Sequence, residues 1–179
     1  TLDSMYMGGV LCGNHLEIIN VLRNFKYAHC SLTGAHSPTH VNVPFLDKLK
    51  ILSSSRTSVV LNACPIGENH KNSIRRNKDW DKIKAFDGLD RGFIPQIKPR
   101  LFESMAMRSL ALVRRDPWNV VENFFTPGED FLYWETLEEL EHLITDIRDN
   151  YKDYLSIVES AYTKCLDYDI TPVISRLYV

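Results

Sequence analysis

Ser58-Val59-Val60-Leu61-Asn62 places three apolar residues in a row, two of them β-branched, with no polar alternation between them. A strand with one solvated face alternates polar and apolar residues. A short continuous apolar run reads instead as a strand buried on both faces, the condition of a parallel sheet covered by helices. Ser109-Leu110-Ala111-Leu112-Val113 repeats the pattern downstream. Working outward, Met5-Tyr6-Met7 reads as a short strand running into Gly8-Gly9, and Tyr27–Leu32 as another, ended by Thr33-Gly34. Helical spacing falls between these segments. Asn14 with Glu17 forms a capping box before Ile18, Leu22 and Phe25, and Phe45–Ser54 has Phe45, Leu46, Leu49 and Leu52 on its expected buried side. Pro99 sits where a first-turn proline belongs, ahead of Leu101, Phe102, Met105 and Ala106. A short helix around Trp118–Phe124, the Thr126-Pro127-Gly128 turn and a strand at Phe131–Trp134 follow. Thr136 and Glu139 make a second capping box, opening a helix through Leu137, Leu140, Leu143, Ile144 and Ile147. A final helix carries Tyr151, Tyr154, Leu155, Val158, Tyr162 and Cys165. Strands alternating with helices predict an α/β fold, a doubly wound, Rossmann-like parallel sheet.

The 179 residues suit one domain with room for a sizeable core. Within it, residues 64–97 are the irregular part, broken by Pro65, Gly67, Gly88, Gly92 and Pro95, and residues 136–179 form the C-terminal helices. The irregular stretch carries Lys71, Arg75, Arg76 and Lys78 with no acid between them. It reads equally as a functional loop or as an exposed insertion with a short helix near Trp80. The composition, 44% hydrophobic and 25% charged, is that of an ordinary globular protein and excludes disorder and coiled coil. No apolar run approaches the roughly 18 residues of a membrane-spanning helix. The net charge of −2 divides unevenly: residues 1–134 hold 17 basic and 13 acidic side chains, residues 135–169 hold 3 and 10. A modest positive surplus suits the handling of a small anion and falls short of a nucleic-acid-binding stripe, so no nucleic acid is expected as partner. The acidic stretch reads as a solvated helix face. Four cysteines without a CxxC pattern fit a reducing compartment, and the start, Thr1-Leu2-Asp3-Ser4, shows no signal peptide, so a cytoplasmic location is expected. That start also lacks an initiator Met, as a piece of a longer chain would. His29, His36 and His40 surround a loop and have no spacing that would converge them on a metal.

Ligands of open parallel sheets bind beyond the carboxyl ends of the strands. That rule selects Gly8-Gly9, Thr33-Gly34, Asn62-Ala63-Cys64 and Arg114-Arg115-Asp116. Gly8-Gly9 would let backbone approach a phosphate, although a diglycine after a strand is equally a plain turn. Lys98-Pro99-Arg100 is more specific, because it sets two cations at a helix start, where the helix dipole favours negative charge. A bound anion would resolve that conflict. Glu103 lies one turn on, on the same face as Arg100, and a carboxylate there can accept both hydroxyls of a ribose. The plainer alternative is an i,i+3 Arg100–Glu103 surface pair.

At this point the sequence resembles a known family. Lys98-Pro99-Arg100-Leu101-Phe102-Glu103-Ser104-Met105-Ala106 with the strand after it is similar to the R-x-F-E-x-x-A helix and strand of GT-B glycosyltransferases. The likeness is to their group-1-like branch, typified by spore-maturation glycosyltransferase-like proteins. Val120-Val121-Glu122-Asn123-Phe124-Phe125-Thr126-Pro127-Gly128-Glu129-Asp130 is similar to the E-x-F-x-P-G-x-E/D stretch of that branch. The resemblance is strongest over residues 96–166. It implies the donor-binding half of a two-lobed enzyme, in which Glu103 would hold the ribose and Lys98 and Arg100 the diphosphate. Gly8 and Gly9 would approach from the first strand, and Asn62 would face the cleft. It implies a nucleoside diphosphate sugar as ligand, an acceptor-binding lobe outside this chain, no cofactor and no metal. Glycosyl transfer would therefore need more than this chain. The position eight before Glu103, a glutamate in many retaining members, is Pro95, so neither a retaining nor an inverting course is assigned. The competing reading is a non-catalytic nucleotide-binding module. A receiver-like signalling domain fits poorly, because Asp3 precedes the first strand, which ends in Gly8-Gly9.

Overall fold

The computed structural model describes residues 1–9, 13–76 and 92–168. Six parallel strands form the main sheet: β1 (Leu2–Met7), β2 (Tyr27–Ser31), β3 (His40–Val41), β4 (Ser55–Val60), β7 (Leu110–Arg114) and β8 (Leu132–Trp134). Their order is β3-β2-β1-β4-β7-β8. The chain steps outward from β1 to β3, then returns to β4 and steps outward the other way. Strand order therefore reverses between β1 and β4, the switch point at which such sheets open a crevice. Among the described residues six α-helices accompany the sheet: α1 (Gly13–Leu22), α2 (Phe45–Ser53), α3 (Glu68–Arg75), α4 (Pro99–Ala106), α5 (Leu137–Asn150) and α6 (Leu155–Cys165).

The unalternated apolar strands are covered on both faces, as their sequences predict. Val59 and Leu61 of the β4 segment, with Leu110 and Leu112 of β7, pack with Ile18, Ile19 and Leu22 of α1 and Leu140, Ile144 and Ile147 of α5. The intervening Val60, Ala111 and Val113 point the other way, into Leu101 and Met105 of α4 and Ala161 and Cys165 of α6. A two-residue period thus feeds two cores from one strand pair. Trp134 is 1% exposed and its indole Nε1 donates to the Leu112 carbonyl at 3.1 Å, so its one polar atom is satisfied inside the core.

The capping box at Thr136 forms as expected: the Glu139 amide donates to Thr136 Oγ1, and the Glu139 carboxylate accepts from the Thr136 amide. Other expectations shift. α1 already begins at Gly13, so Asn14 lies in its first turn rather than before it. The last helix is divided, a 3₁₀ turn at Tyr151–Tyr154 preceding α6, and the helix around Trp118–Phe124 is a 3₁₀ turn at Val120–Asn123. In α2 only Leu52 is buried, while Phe45 and Leu46 are 57% and 69% exposed. The reason is the edge strand: β3 has two residues, both exposed, and gives the first turn of α2 little apolar surface to cover.

The irregular segment is anchored at both ends. β5 (Ala63–Pro65) pairs antiparallel with β6 (Phe93–Pro95), Ala63 opposite Pro95 and Pro65 opposite Phe93. The Gln96 amide donates to the Asn62 carbonyl at 2.7 Å. The segment therefore leaves and re-enters at the carboxyl end of β4, beside the switch point. The helix expected near Trp80 lies outside the described residues. Asp130, in the Pro127–Asp130 turn, is 1% exposed and accepts from the Thr126 amide (2.7 Å), the Ser160 hydroxyl (2.7 Å) and Lys164 Nζ (2.8 Å). These bonds tie the turn to α6. They, chiefly the one from Lys164, hold the carboxyl below its usual range although burial pushes it upward.

Candidate functional site

The crevice is built on the end of β1. Gly8 has a φ of +133°, a conformation that side chains with a Cβ rarely adopt. Its amide donates to the Cys30 carbonyl at 2.9 Å, and its carbonyl accepts from His29 Nε2 at 2.9 Å. His15 Nδ1 lies 3.3 Å from the Gly9 carbonyl. Two histidines, 0% and 5% exposed, thus hold the diglycine. Burial lowers the pKa of both, His15 further through the nearby Lys98 and Arg100 charges.

The first turn of α4 meets this loop. Arg100 swings back to donate through Nη1 to the Met7 carbonyl and also hydrogen-bonds the buried Tyr6 side chain. Its guanidinium lies against Gly8 so closely that a Cβ there would sit 2.7 Å from Nη1 and 2.9 Å from Nη2. Gly8 is therefore needed twice, for its φ and for this contact. Lys98 precedes α4 as its N-cap residue, and no side chain caps the helix. Burial depresses the Lys98 ammonium and the Arg100 charge depresses it further; burial likewise depresses Arg100, against the pull of Tyr6 and Glu103. Among the described residues neither cation is in an ion pair. Pro99 has no N–H and the Leu101 amide donates to the Lys98 carbonyl at 3.0 Å, so the two half-buried positive charges and the positive end of the helix dipole, more than free amides, make this helix start suited to an anion.

The i,i+3 pair between Arg100 and Glu103 does not form. Glu103 instead binds Lys48 of α2, whose Nζ lies 2.8 Å from Oε1 and 2.9 Å from Oε2. Both side chains stay partly open, at 23% and 18% exposure for Lys48 and Glu103.

On the other side of the switch point, a cleft of about 430 Å³ lies at the ends of β4 and β7. Asn62 lines it and is 1% exposed, yet neither its amide nitrogen nor its amide oxygen has a hydrogen-bond partner among the described residues. Asp116 lines it too; Oδ1 accepts from the Trp118 amide at 2.9 Å, while Oδ2 has no such partner. Buried polar atoms without partners are costly, and a ligand's hydroxyl or amide groups would satisfy them. Phe93 and Trp118 supply apolar wall.

The structure thus brings Gly8, Gly9, Lys98 and Arg100 together at one place, with Glu103 one turn deeper and Asn62 in the neighbouring cleft. Lys48, Tyr6, His15, His29 and Asp116 were not assigned roles by sequence. Of these only Asp116 carried a signal, its place directly after an apolar strand. His29 is hydrogen-bonded to Gly8 and His40 Nδ1 contacts Thr39 Oγ1 at 2.7 Å, and no group of three metal-ligating side chains occurs among the described residues. No described helix is long and apolar enough to cross a membrane. The sequence model of the family described as glycosyl transferase-like matches residues 17–172. No curated protein matches the chain.

Proposed function

Because the chain belongs to the glycosyl transferase-like family, we propose that it is the donor-binding domain of a glycosyltransferase and holds a nucleoside diphosphate sugar along the carboxyl edge of its sheet. The diphosphate lies at the start of α4, against Lys98, Arg100 and the backbone of Gly8 and Gly9. Glu103 accepts the ribose hydroxyls. Asn62 takes a neutral polar group of the ligand in the adjoining cleft. The observation that carries this reading is the pair of half-buried cations, Lys98 and Arg100, at an uncapped helix start with no ion-pair partner among the described residues.

In glycosyl transfer the bond from the sugar's anomeric carbon to the diphosphate breaks and a bond to the acceptor oxygen forms, with the acceptor's proton lost. The leaving diphosphate gains a negative charge. Fixed positive charges and the positive end of the helix dipole stabilise that charge without having to reorganise. The acceptor and the base that takes its proton belong to parts outside the described site. A thermal-shift series with the diphosphates of uridine, guanosine and adenosine tests the reading. At least one should raise the melting temperature, and Glu103→Ala should abolish the shift. No shift with any of them at millimolar concentration refutes it.

A further inference from the structure

We propose that Lys48 is a second ribose contact, forming with Glu103 a dyad that reads a pair of adjacent hydroxyl groups; this rests on the donor-binding reading above. Lys48 reaches from α2 across to α4 and spends two N–H donors on the two oxygens of Glu103, at 2.8 and 2.9 Å. Its ammonium also lies 4.6 Å from the centre of the Phe45 ring, which covers one approach to it. An ammonium has three donors, and each carboxylate oxygen keeps accepting capacity after one bond. Among the described residues Glu103 is the only hydrogen-bonding partner of Lys48 Nζ, so one donor remains beside two acceptors.

That combination is selective in a way that a lone carboxylate is not. A carboxylate alone accepts from any donor, including ammonium and guanidinium groups. With a cation at its side it repels cationic donors and favours a neutral group that donates and accepts at once. A hydroxyl does this, giving its proton to Glu103 while its oxygen accepts from Lys48. Two adjacent hydroxyls, as on a ribose, engage both carboxylate oxygens. The ion pair also joins two helices, so the carboxylate is held in place before the ligand arrives.

The plain alternative is that Lys48 merely ties α2 to α4, and the test separates the two. The full chain is titrated calorimetrically with the diphosphates of uridine, guanosine, adenosine and cytidine, and the tightest is compared with its 2′-deoxy counterpart. Wild type should favour the ribonucleotide by about 10- to 100-fold, as hydrogen bonds to charged groups imply. Lys48→Met should cut that preference to a few-fold while the 2′-deoxy affinity changes by no more than about twofold. Lys48→Arg, which keeps the donors, should retain most of the preference. Equal loss for both nucleotides, or no loss, overturns the proposal. Glu103→Gln distinguishes the failures. If it collapses the preference and Lys48→Met does not, only the role of Lys48 falls; if neither variant alters it, or if no diphosphate binds, the ribose reading falls as well. Melting curves of each ligand-free variant identify misfolding, and Lys48→Gln replaces Lys48→Met if that variant does not fold.

Discussion

Replacing Gly8 by alanine should destabilise the protein by about 3–5 kcal/mol through two separable effects. The first is backbone strain, because a φ of +133° is one that alanine rarely adopts, at a cost of about 1–3 kcal/mol. The second is a collision: the new Cβ would stand 2.7 and 2.9 Å from the guanidinium nitrogens of Arg100. Arg100 is a flexible side chain and can withdraw, but it then gives up its bonds to the Met7 carbonyl and the Tyr6 side chain. Charged hydrogen bonds of that kind contribute about 1.5–3 kcal/mol. Urea denaturation measures the sum, and an unchanged slope would show that the unfolded state is not the cause. The melting temperature should fall by roughly 10 °C for a chain of this size. A double-mutant cycle isolates the collision. In an Arg100→Met background nothing rigid opposes the Cβ, so Gly8→Ala should cost only the strain, about 1–3 kcal/mol. A cost below about 0.5 kcal/mol in wild type, or strict additivity in the cycle, would refute the account of how Arg100 and Gly8 are fitted together.

Two further outcomes concern titrating groups. Asp130→Ala should cost about 3 kcal/mol at pH 7, since it removes three hydrogen bonds from a buried carboxylate and leaves Lys164 without its ion-pair partner, with only Thr126 Oγ1 to accept from it. Because the folded carboxyl titrates below its unfolded value of about 3.9, that contribution is present above this pH and lost as pH falls through the folded pKa, so wild type and variant should converge in strong acid. His15 and His29 work from a higher range. Their folded pKa values are lowered by burial, so the unfolded chain binds more protons and stability should decline as pH falls below about 6.5. Urea midpoints between pH 5 and 8 measure this slope, and His29→Gln should flatten it; an unchanged slope would contradict the assignment.

The sheet was legible in the sequence because burial on both faces leaves a direct mark. Val59-Val60-Leu61 and Leu110-Ala111-Leu112-Val113 have no polar alternation, and both faces of these strands pack against helices. The capping box at Thr136 was equally readable, being a local contact three residues long. The edge was not. β3 is two exposed residues and leaves no periodic pattern, so Phe45 and Leu46 looked like core residues of an amphipathic helix. At the site, the placement of Gly8-Gly9 follows from the rule for open sheets, and that of Lys98 and Arg100 from two cations standing at a helix start. The partners of those residues do not. Lys48 meets Glu103 and Arg100 meets Met7 through tertiary contacts between distant segments, which no local spacing encodes. The histidines under the diglycine are of the same kind: His29 reaches Gly8 from the neighbouring strand.

The most direct test of the central claim is calorimetric titration of the chain with a nucleoside and with the corresponding nucleoside diphosphate, for wild type and for Lys98→Met. The anion site predicts that the diphosphate binds at least about 100-fold more tightly than the nucleoside, and that Lys98→Met removes about tenfold of that preference. Equal affinity for the two ligands, or a preference untouched by Lys98→Met, would contradict it.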